Sequence, residues 1–329
     1  MRQDLVTGDW ILIAPGRANR PLEFFKNKAK RKPTPVFACP FENLDKSGHK
    51  TPLLLYGAKN DWSTIVIPNK FPALAPAKKI GVWMKHGPYK KYPAIGRHEL
   101  IITRDHDNNF LGLSVPRALE VFRAFRDRYL AYIQESRYIA YVSIFHNWGP
   151  SAGASIYHPH YQILAVPIVP PDVAHSLRGS REYFEKNGRC VHCDIIKHER
   201  RDKIRVIFEN DHAIAFTPYV SRTPFEVRVF PKMHSPYFEE SSSAVIECLV
   251  ESLRATLKFF YKRLNDPDYN FFVHTAPILE KKGYSHYHWH LEIIPKISTP
   301  AGFELSTGID INVVDPAAAA AFLRDGKRK

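Results

Sequence analysis

The chain has 329 residues, 44% of them hydrophobic and 24% charged, a composition of ordinary globular proteins and a length sufficient for two domains or one duplicated unit. No window approaches 18 uninterrupted apolar residues, and the N-terminal MRQDLVTGDW lacks the apolar stretch of a signal peptide, so no membrane partner is expected and the expected location is cytoplasmic. The formal net charge of +14 points to an anionic partner such as a nucleotide, a phosphorylated sugar or nucleic acid.

From the N-terminus, a Pro- and Arg-rich stretch (VTGDWILIAPGRANRP) precedes a basic cluster at Lys26–Lys32. Such clusters, here and at Lys78–Lys91 and the C-terminal GKRK, read first as solvated surface. Phe71–Gly96, rich in Pro, Gly and Lys, reads as a long insertion loop. After IITRDH, ending at His106, Ser114 caps an expected helix in which Leu119, Phe122, Phe125, Leu130 and Ile133 form the apolar face. A turn-forming run from Asn147 through Gly149, Gly153, Ala154 and Ser155 then leads into a strand, HPHYQILAVP. Strand alternation sets His158, His160 and Gln162 on one face, poor material for a core and good material for a site. The small residues upstream allow backbone N–H groups to approach a phosphate.

Pro167–Arg189 reads as a linker, after which Cys190-Val-His-Cys193 has the spacing of half a metal site. The remaining elements repeat the first half. IITRDH matches VRVFPKMH ending at His234, Ser114 matches Ser242 at the head of a second amphipathic helix, and HPHYQILAVP matches HYHWHLEIIP from His286, each displaced by 128 residues. That register sets His286 beside Cys190, Cys193 and His234 as a Cys2His2 set, with His288 the ligand if the register differs. The second half lacks the glycine run, having HTAPILEKKGYS, and reads as a degenerate copy. Residues 1–170 are thus an N-terminal repeat carrying the active site, and 171–329 a C-terminal repeat with a second metal site.

Asn147, Gly153, Ser155, His158-Pro159-His160 and Gln162 resemble the active-site signature of galactose-1-phosphate uridylyltransferases, a branch of the histidine-triad superfamily, and the likeness spans nearly the whole chain. The resemblance implies an α+β fold of duplicated histidine-triad-like repeats, a mostly antiparallel half-barrel sheet with packed helices. It implies that His160 attacks the α-phosphorus of UDP-glucose and that UMP passes to galactose 1-phosphate, with ping-pong kinetics. Gln162 stands where related hydrolases have a proton-donating His; an amide donates a hydrogen bond but delivers no proton, which favours transfer over hydrolysis.

Carried over position by position, the resemblance sets Arg17 and Arg20 near substrate phosphates, Asn69 and Lys70 along the nucleoside, and Asn147, Gly153, Ala154 and Ser155 around phosphate and ribose. Phe303 and Glu304 fall near the hexose, with Asn312 a substitute for a glutamine that has no match. Cys39, His106 and His158 form a first metal set, with Glu42 where the family has a second cysteine. Zinc is expected in two structural sites, with iron an option in the second. A homodimer is implied, the hexose pocket drawing on the partner chain. The ending GFELSTGIDIN is closer to relatives that act as ADP-glucose phosphorylases, the alternative reading. A nucleic-acid-binding module would explain the charge, but no aromatic signature accompanies the basic clusters. A hydrolase of dinucleoside polyphosphates would require water as an efficient acceptor.

Overall fold

The computed structural model describes residues 1–17, 31–49, 51–58, 60–76, 81–135, 138–279 and 281–326. The first half comprises β1 (Arg2–Gln3), β2 (Trp10–Ile13), β3 (Leu54–Ala58), β4 (Asp61–Pro68), β5 (Met84–His86), β6 (Tyr89–Lys91), β7 (Arg97–Thr103), α1 (Val115–Glu135), β8 (Tyr141–Trp148) and β9 (His160–Val166). The second comprises α2 (Pro171–Asn187), α3 (Val191–Asp202), β10 (Val206–Glu209), β11 (Ala213–Phe216), β12 (Val227–Pro231), α4 (Ser243–Arg263), β13 (Tyr269–His274), β14 (His290–Pro295), α5 (Gly302–Thr307), β15 (Ile311–Asn312) and α6 (Pro316–Asp325).

Ten strands form one open sheet in the order β10-β11-β12-β14-β13-β8-β9-β7-β4-β3, and the pairing between neighbours is antiparallel throughout. The halves meet at its centre, where β13 pairs with β8 and Phe271 lies opposite His146. The expected α+β architecture is present. Because side chains alternate across a sheet, Tyr161, Ile163, Leu291 and Ile293 point to one face, where they join α1 and α4 in the main core. His160, Gln162, His290 and Glu292 alternate with them and occupy the opposite face. Both histidine constellations therefore share one side of the sheet, and the long helices cover the other.

Each long helix starts as its sequence predicts. Ser114 Oγ accepts the Arg117 N–H and Ser242 Oγ the Val245 N–H, so each hydroxyl satisfies an N–H left over in the first turn. The buried stripe of the second amphipathic helix, α4, includes Ile246, Leu249, Val250, Leu253, Leu257 and Phe260, at the three-to-four spacing of one helix face. On α1 the stripe is displaced from the expected one: Ala118, Phe122, Phe125, Tyr129 and Tyr132 are buried, while Leu130 is 38% exposed. Leu130 sits about 100° around the helix from Tyr129 and cannot share its face. Phe125→Ala is accordingly expected to destabilise the fold by about 3–5 kcal/mol, and Leu130→Ala by under about 1 kcal/mol; urea denaturation of the two variants checks the assignment.

The expected linker between halves is instead the 17-residue helix α2. Pro171 and Asp172 open it and Gly188 ends it in the left-handed conformation, each a standard terminus signal. The helix docks against the N-terminal segment so closely that a Cβ at Gly179 would lie 1.7 Å from the Val6 carbonyl oxygen. Within the expected insertion loop, β5 and β6 form a hairpin of exposed residues. Among the described residues no helix is long and apolar enough to cross a membrane.

Candidate active site

His160 opens β9 and lies opposite Ile102 of β7. On its other side the β8–β9 ladder pairs His146 with Tyr161, so Asn147 is the next residue across from His160, and Asn270 of β13 lies opposite Asn147. A row of polar groups therefore crosses three strands on the face away from the helices. The Nδ1–H of His160 donates to the His158 carbonyl at 3.0 Å, which leaves Nε2 with the lone pair. Burial pushes the His160 pKa below its ordinary value, so the imidazole is neutral near pH 7. A neutral ring with a fixed tautomer is a nucleophile needing no further activation.

Gln162 is oriented from β7. The Ala73 N–H donates to Nδ1 of His98 at 3.2 Å, which sets the ring proton on Nε2, and that nitrogen lies 3.0 Å from Gln162 Oε1. With its oxygen occupied, Gln162 presents its NH2 group outward. Asn147 is oriented in the same way: Asn270 Nδ2 donates to Asn147 Oδ1 at 2.8 Å and to the Ala152 carbonyl at 2.9 Å. His98 and Asn270 were not singled out from the sequence. His98 lies two residues before Leu100 on one strand, so alternation continued along RHELIIT would have placed it on the site face.

Two glycines shape the turn after β8. Gly149 (φ 83°) and Gly153 (φ 87°) adopt the left-handed region, and a Cβ at Gly149 would fall 1.9 Å from Asp268 Oδ1. Asp268 is held in turn by the Ser151 N–H at 2.8 Å and by Arg31 at 2.8 Å. The turn borders a cavity of about 310 Å³ lined by Gly149, Ala154, Ser155, Ile156, Arg31 and Lys32 among others. His160 does not line it, but Ile156 packs into the same cluster as Phe41, whose ring lies 5.3 Å from that of His160.

The remaining expected positions are scattered. Asn69 and Lys70 follow β4, with Asn69 Nδ2 3.0 Å from the His98 ring and Lys70 donating to the Ser47 carbonyl. Arg17 is exposed in a 3-10 turn, and Arg20 lies outside the described residues. Phe303 and Glu304 sit on α5, where Glu304 caps its own helix, and make no hydrogen bond or ring contact with His160 or Gln162. Asn312 is buried, and its amide donates to the Ser221 and Thr223 carbonyls, so it braces that loop.

Three groups of donor atoms converge among the described residues, His274 with His290 and Glu292 being one, and the other two each include cysteine. Around Cys39, Glu42, His106 and His158, the Nε2–H groups of both histidines donate to carbonyls, of Thr34 at 2.7 Å and Thr103 at 2.8 Å. Their Nδ1 lone pairs then face each other at 3.2 Å, with Glu42 Oε1 3.0 and 3.2 Å from them and Cys39 Sγ at 3.6 Å from His158. Lone pairs so close repel unless a cation lies between them, and ligands around a tetrahedral zinc are separated by roughly 3.4–3.8 Å. These residues fit a metal ion.

The second cysteine-containing group is Cys190, Cys193, His234 and His288. Nδ1 of His234 and of His288 lie 3.4 and 3.5 Å from Cys193 Sγ, while their Nε2–H groups donate to the Ser285 and Pro231 carbonyls. Hydrogen bonds from the Cys193 thiol, His234 and His288 hold the Cys190 thiol far below its usual range. His288, not His286, is the fourth member. The reason is a change of register: the carbonyl acceptors Thr103 and Pro231 are 128 apart, but the histidines that donate to them, His158 and His288, are 130 apart. Two extra residues in the second half move the histidine strand along, so His290 is the counterpart of His160 and likewise donates to the carbonyl two residues before it.

A neutral, tautomer-fixed imidazole beside two oriented amides and a glycine turn, on an open antiparallel sheet, defines a nucleotidyltransferase. The pattern described as "Galactose-1-phosphate uridyl transferase, N-terminal domain" matches residues 1–170, and one described as a domain of unknown function (DUF4921) matches 118–324. An ADP-glucose phosphorylase of Arabidopsis thaliana is 33% identical over 99% of this chain and 92% of its own length. A galactose-1-phosphate uridylyltransferase of Thermotoga maritima is 26% identical over 99% of this chain and 98% of its own. The crystal structure of an Arabidopsis thaliana ADP-glucose phosphorylase with bound ADP-glucose superposes with a TM-score of 0.82, at 30% identity, covering 98% of each chain. The chain belongs to the galactose-1-phosphate uridylyltransferase family.

Proposed function

We propose that the chain transfers a nucleoside monophosphate from a nucleotide sugar through a covalent intermediate on Nε2 of His160. The single observation carrying this is the hydrogen bond from His160 Nδ1 to the His158 carbonyl, which leaves Nε2 as the ring's nucleophilic atom. The Nε2 lone pair forms the bond to the α-phosphorus as the bond to the bridging oxygen breaks, and the sugar 1-phosphate leaves with that oxygen and both bonding electrons. The leaving phosphate ester is stable as an anion and needs no proton, in keeping with an amide at Gln162. The Gln162 and Asn147 NH2 groups stabilise charge on the transferring phosphoryl oxygens, and His98 and Asn270 are positioning residues for them. An acceptor phosphate then attacks the phosphoramidate and regenerates neutral His160.

UDP-glucose as donor and galactose 1-phosphate as acceptor are the substrates we assign first. Adenylyl transfer from ADP-glucose to inorganic phosphate is the second reading, favoured by the 33% identity to the Arabidopsis thaliana enzyme. Incubation with each donor, labelled in the α-phosphate, followed by mass analysis of the His160 peptide tests both: a monophosphate adduct on that histidine is expected from one donor, and its absence with both overturns the proposal. We assign residues 1–170 to the catalytic half and 171–329 to the degenerate one, both in one cytoplasmic, homodimeric protein. Arg17 and Arg20 would serve the phosphates, Asn69 and Lys70 the nucleoside, and the partner's copy of α5 would bring Phe303 and Glu304 to the hexose.

We assign zinc to both cysteine-containing groups, where it supplies a cross-link between loop and sheet and no step of the reaction. The first set offers one thiol and a carboxylate, the second two thiols, so a chelator is expected to empty the first set before the second. Glu42→Cys is expected to slow loss from the first set by about tenfold or more, measured as zinc released to a colorimetric indicator over time.

A further inference from the structure

The second half holds a cavity of about 330 Å³ that no step above uses. It lies where that half repeats the surroundings of His160. His192 stands to His290 as Phe41 stands to His160, with ring centroids 5.2 and 5.3 Å apart. Ile214 pairs with its neighbour through the same register that Ile65 uses, so Pro218–Val220 follow β11 as Asn69–Phe71 follow β4, and these residues line the cavity. In place of Asn147-Trp-Gly-Pro, this half has His274-Thr-Ala-Pro, without the glycine turn.

What the wall presents is unusual. His192 is 2% exposed, and neither ring nitrogen has a hydrogen-bond partner. Glu199 is equally buried; Oε1 takes both bonds from Arg205, at 2.7 and 3.0 Å, while Oε2 has none. Each unsatisfied buried polar atom has lost its water and gained no partner, a cost that a ligand with complementary groups removes. The guanidiniums are already engaged, Arg205 by Glu199 and Arg228 by Glu226 at 2.9 Å and Glu292 at 3.4 Å. Asp4 and Asp194 add negative charge to the lining. A phosphate would therefore meet carboxylates and no unpaired arginine. The rest of the wall is mainly apolar, with Ile195, Phe216 and Val220 among its residues.

We propose that this cavity binds an uncharged adenine-type nucleoside. The groups it must satisfy are one carboxylate oxygen, on Glu199, and the imidazole of His192, which offers one N–H and one lone pair. The amino group and adjacent ring nitrogen of adenine supply the matching donor and acceptor, and the apolar walls take its faces. The site is separate from His160 and independent of which nucleotide sugar is used there.

The test is calorimetric titration of the zinc-loaded full chain with adenosine and with adenosine 5′-monophosphate, in the absence and presence of saturating nucleotide sugar. One adenosine per chain is expected to bind even with nucleotide sugar saturating, and the monophosphate about tenfold or more weaker at that site. Val220→Trp, which fills the cavity, and Leu5→Trp, which covers it from a 56% exposed position and does not disturb the core, are each expected to weaken adenosine about tenfold or more with unchanged nucleotidyl transfer. Adenosine displaced entirely by the nucleotide sugar, or bound undiminished by the folded variants, overturns the proposal. Absence of nucleotidyl transfer in the wild type would instead bear on His160 alone.

Discussion

His160→Ala is expected to abolish the monophosphate adduct and to lower nucleotidyl transfer by on the order of 10⁴-fold or more, as removal of a covalent nucleophile does elsewhere. The fold should survive, since the lost interactions are one hydrogen bond to a neighbouring carbonyl and the ring contact with Phe41. A circular-dichroism melt near that of the wild type establishes that. The informative comparison is with Gln162→Ala, which leaves the nucleophile in place: it should still form the adduct, more slowly, because charge stabilisation is lost and not bond formation. Measured with both labelled donors and both acceptors, the wild-type protein also decides between uridylyl and adenylyl transfer. Transfer by His160→Ala at the wild-type rate would remove the histidine from the chemistry altogether.

The parts of the site that could be read from the sequence are those whose residues lie close along the chain. Alternation within HPHYQ is a local property of a strand, so it places His160 and Gln162 on one face without knowledge of the neighbouring strands. The glycine turn is local in the same sense. His98 and Asn270 escape such reading because their roles arise across strands: one is brought to Gln162 by the β7–β9 ladder and the other to Asn147 by the β8–β13 ladder, 123 residues apart in sequence. Arg31 was hidden in a basic cluster, although it bonds Asp266 and Asp268 beneath the glycine turn. The helix α2 was missed for another reason. Pro167–Arg189 has the Pro and polar content of a linker, but Pro-Pro-Asp and Asn-Gly, at opposite ends of the helix, are terminus signals and outweigh average composition.

The same distinction accounts for the second metal set. A fixed offset carries residues across a repeat only where no residue has been inserted, and two were inserted before the second histidine strand. With zinc assigned to both sets, His288→Ala is therefore expected to cost the chain one of the two proposed ions, with a fall in apparent stability on the order of 5 kcal/mol or more, since a structural zinc contributes directly to folding. His286→Ala is expected to keep both ions. His286 is buried and its Nε2 has no hydrogen-bond partner, so the substitution removes one hydrogen bond to the Leu177 backbone and the packing against Tyr284, worth about 1–2 kcal/mol. Zinc counted by plasma mass spectrometry, with thermal melts of the same samples, separates the two. The contrast also bears on how the halves diverged: His290 has kept the orientation of His160, donating to the carbonyl of the residue that closes the metal set. If His286→Ala lost an ion and His288→Ala retained both, the 128-residue register would hold through the histidine strand, and the equivalence of His290 with His160 would fail with it.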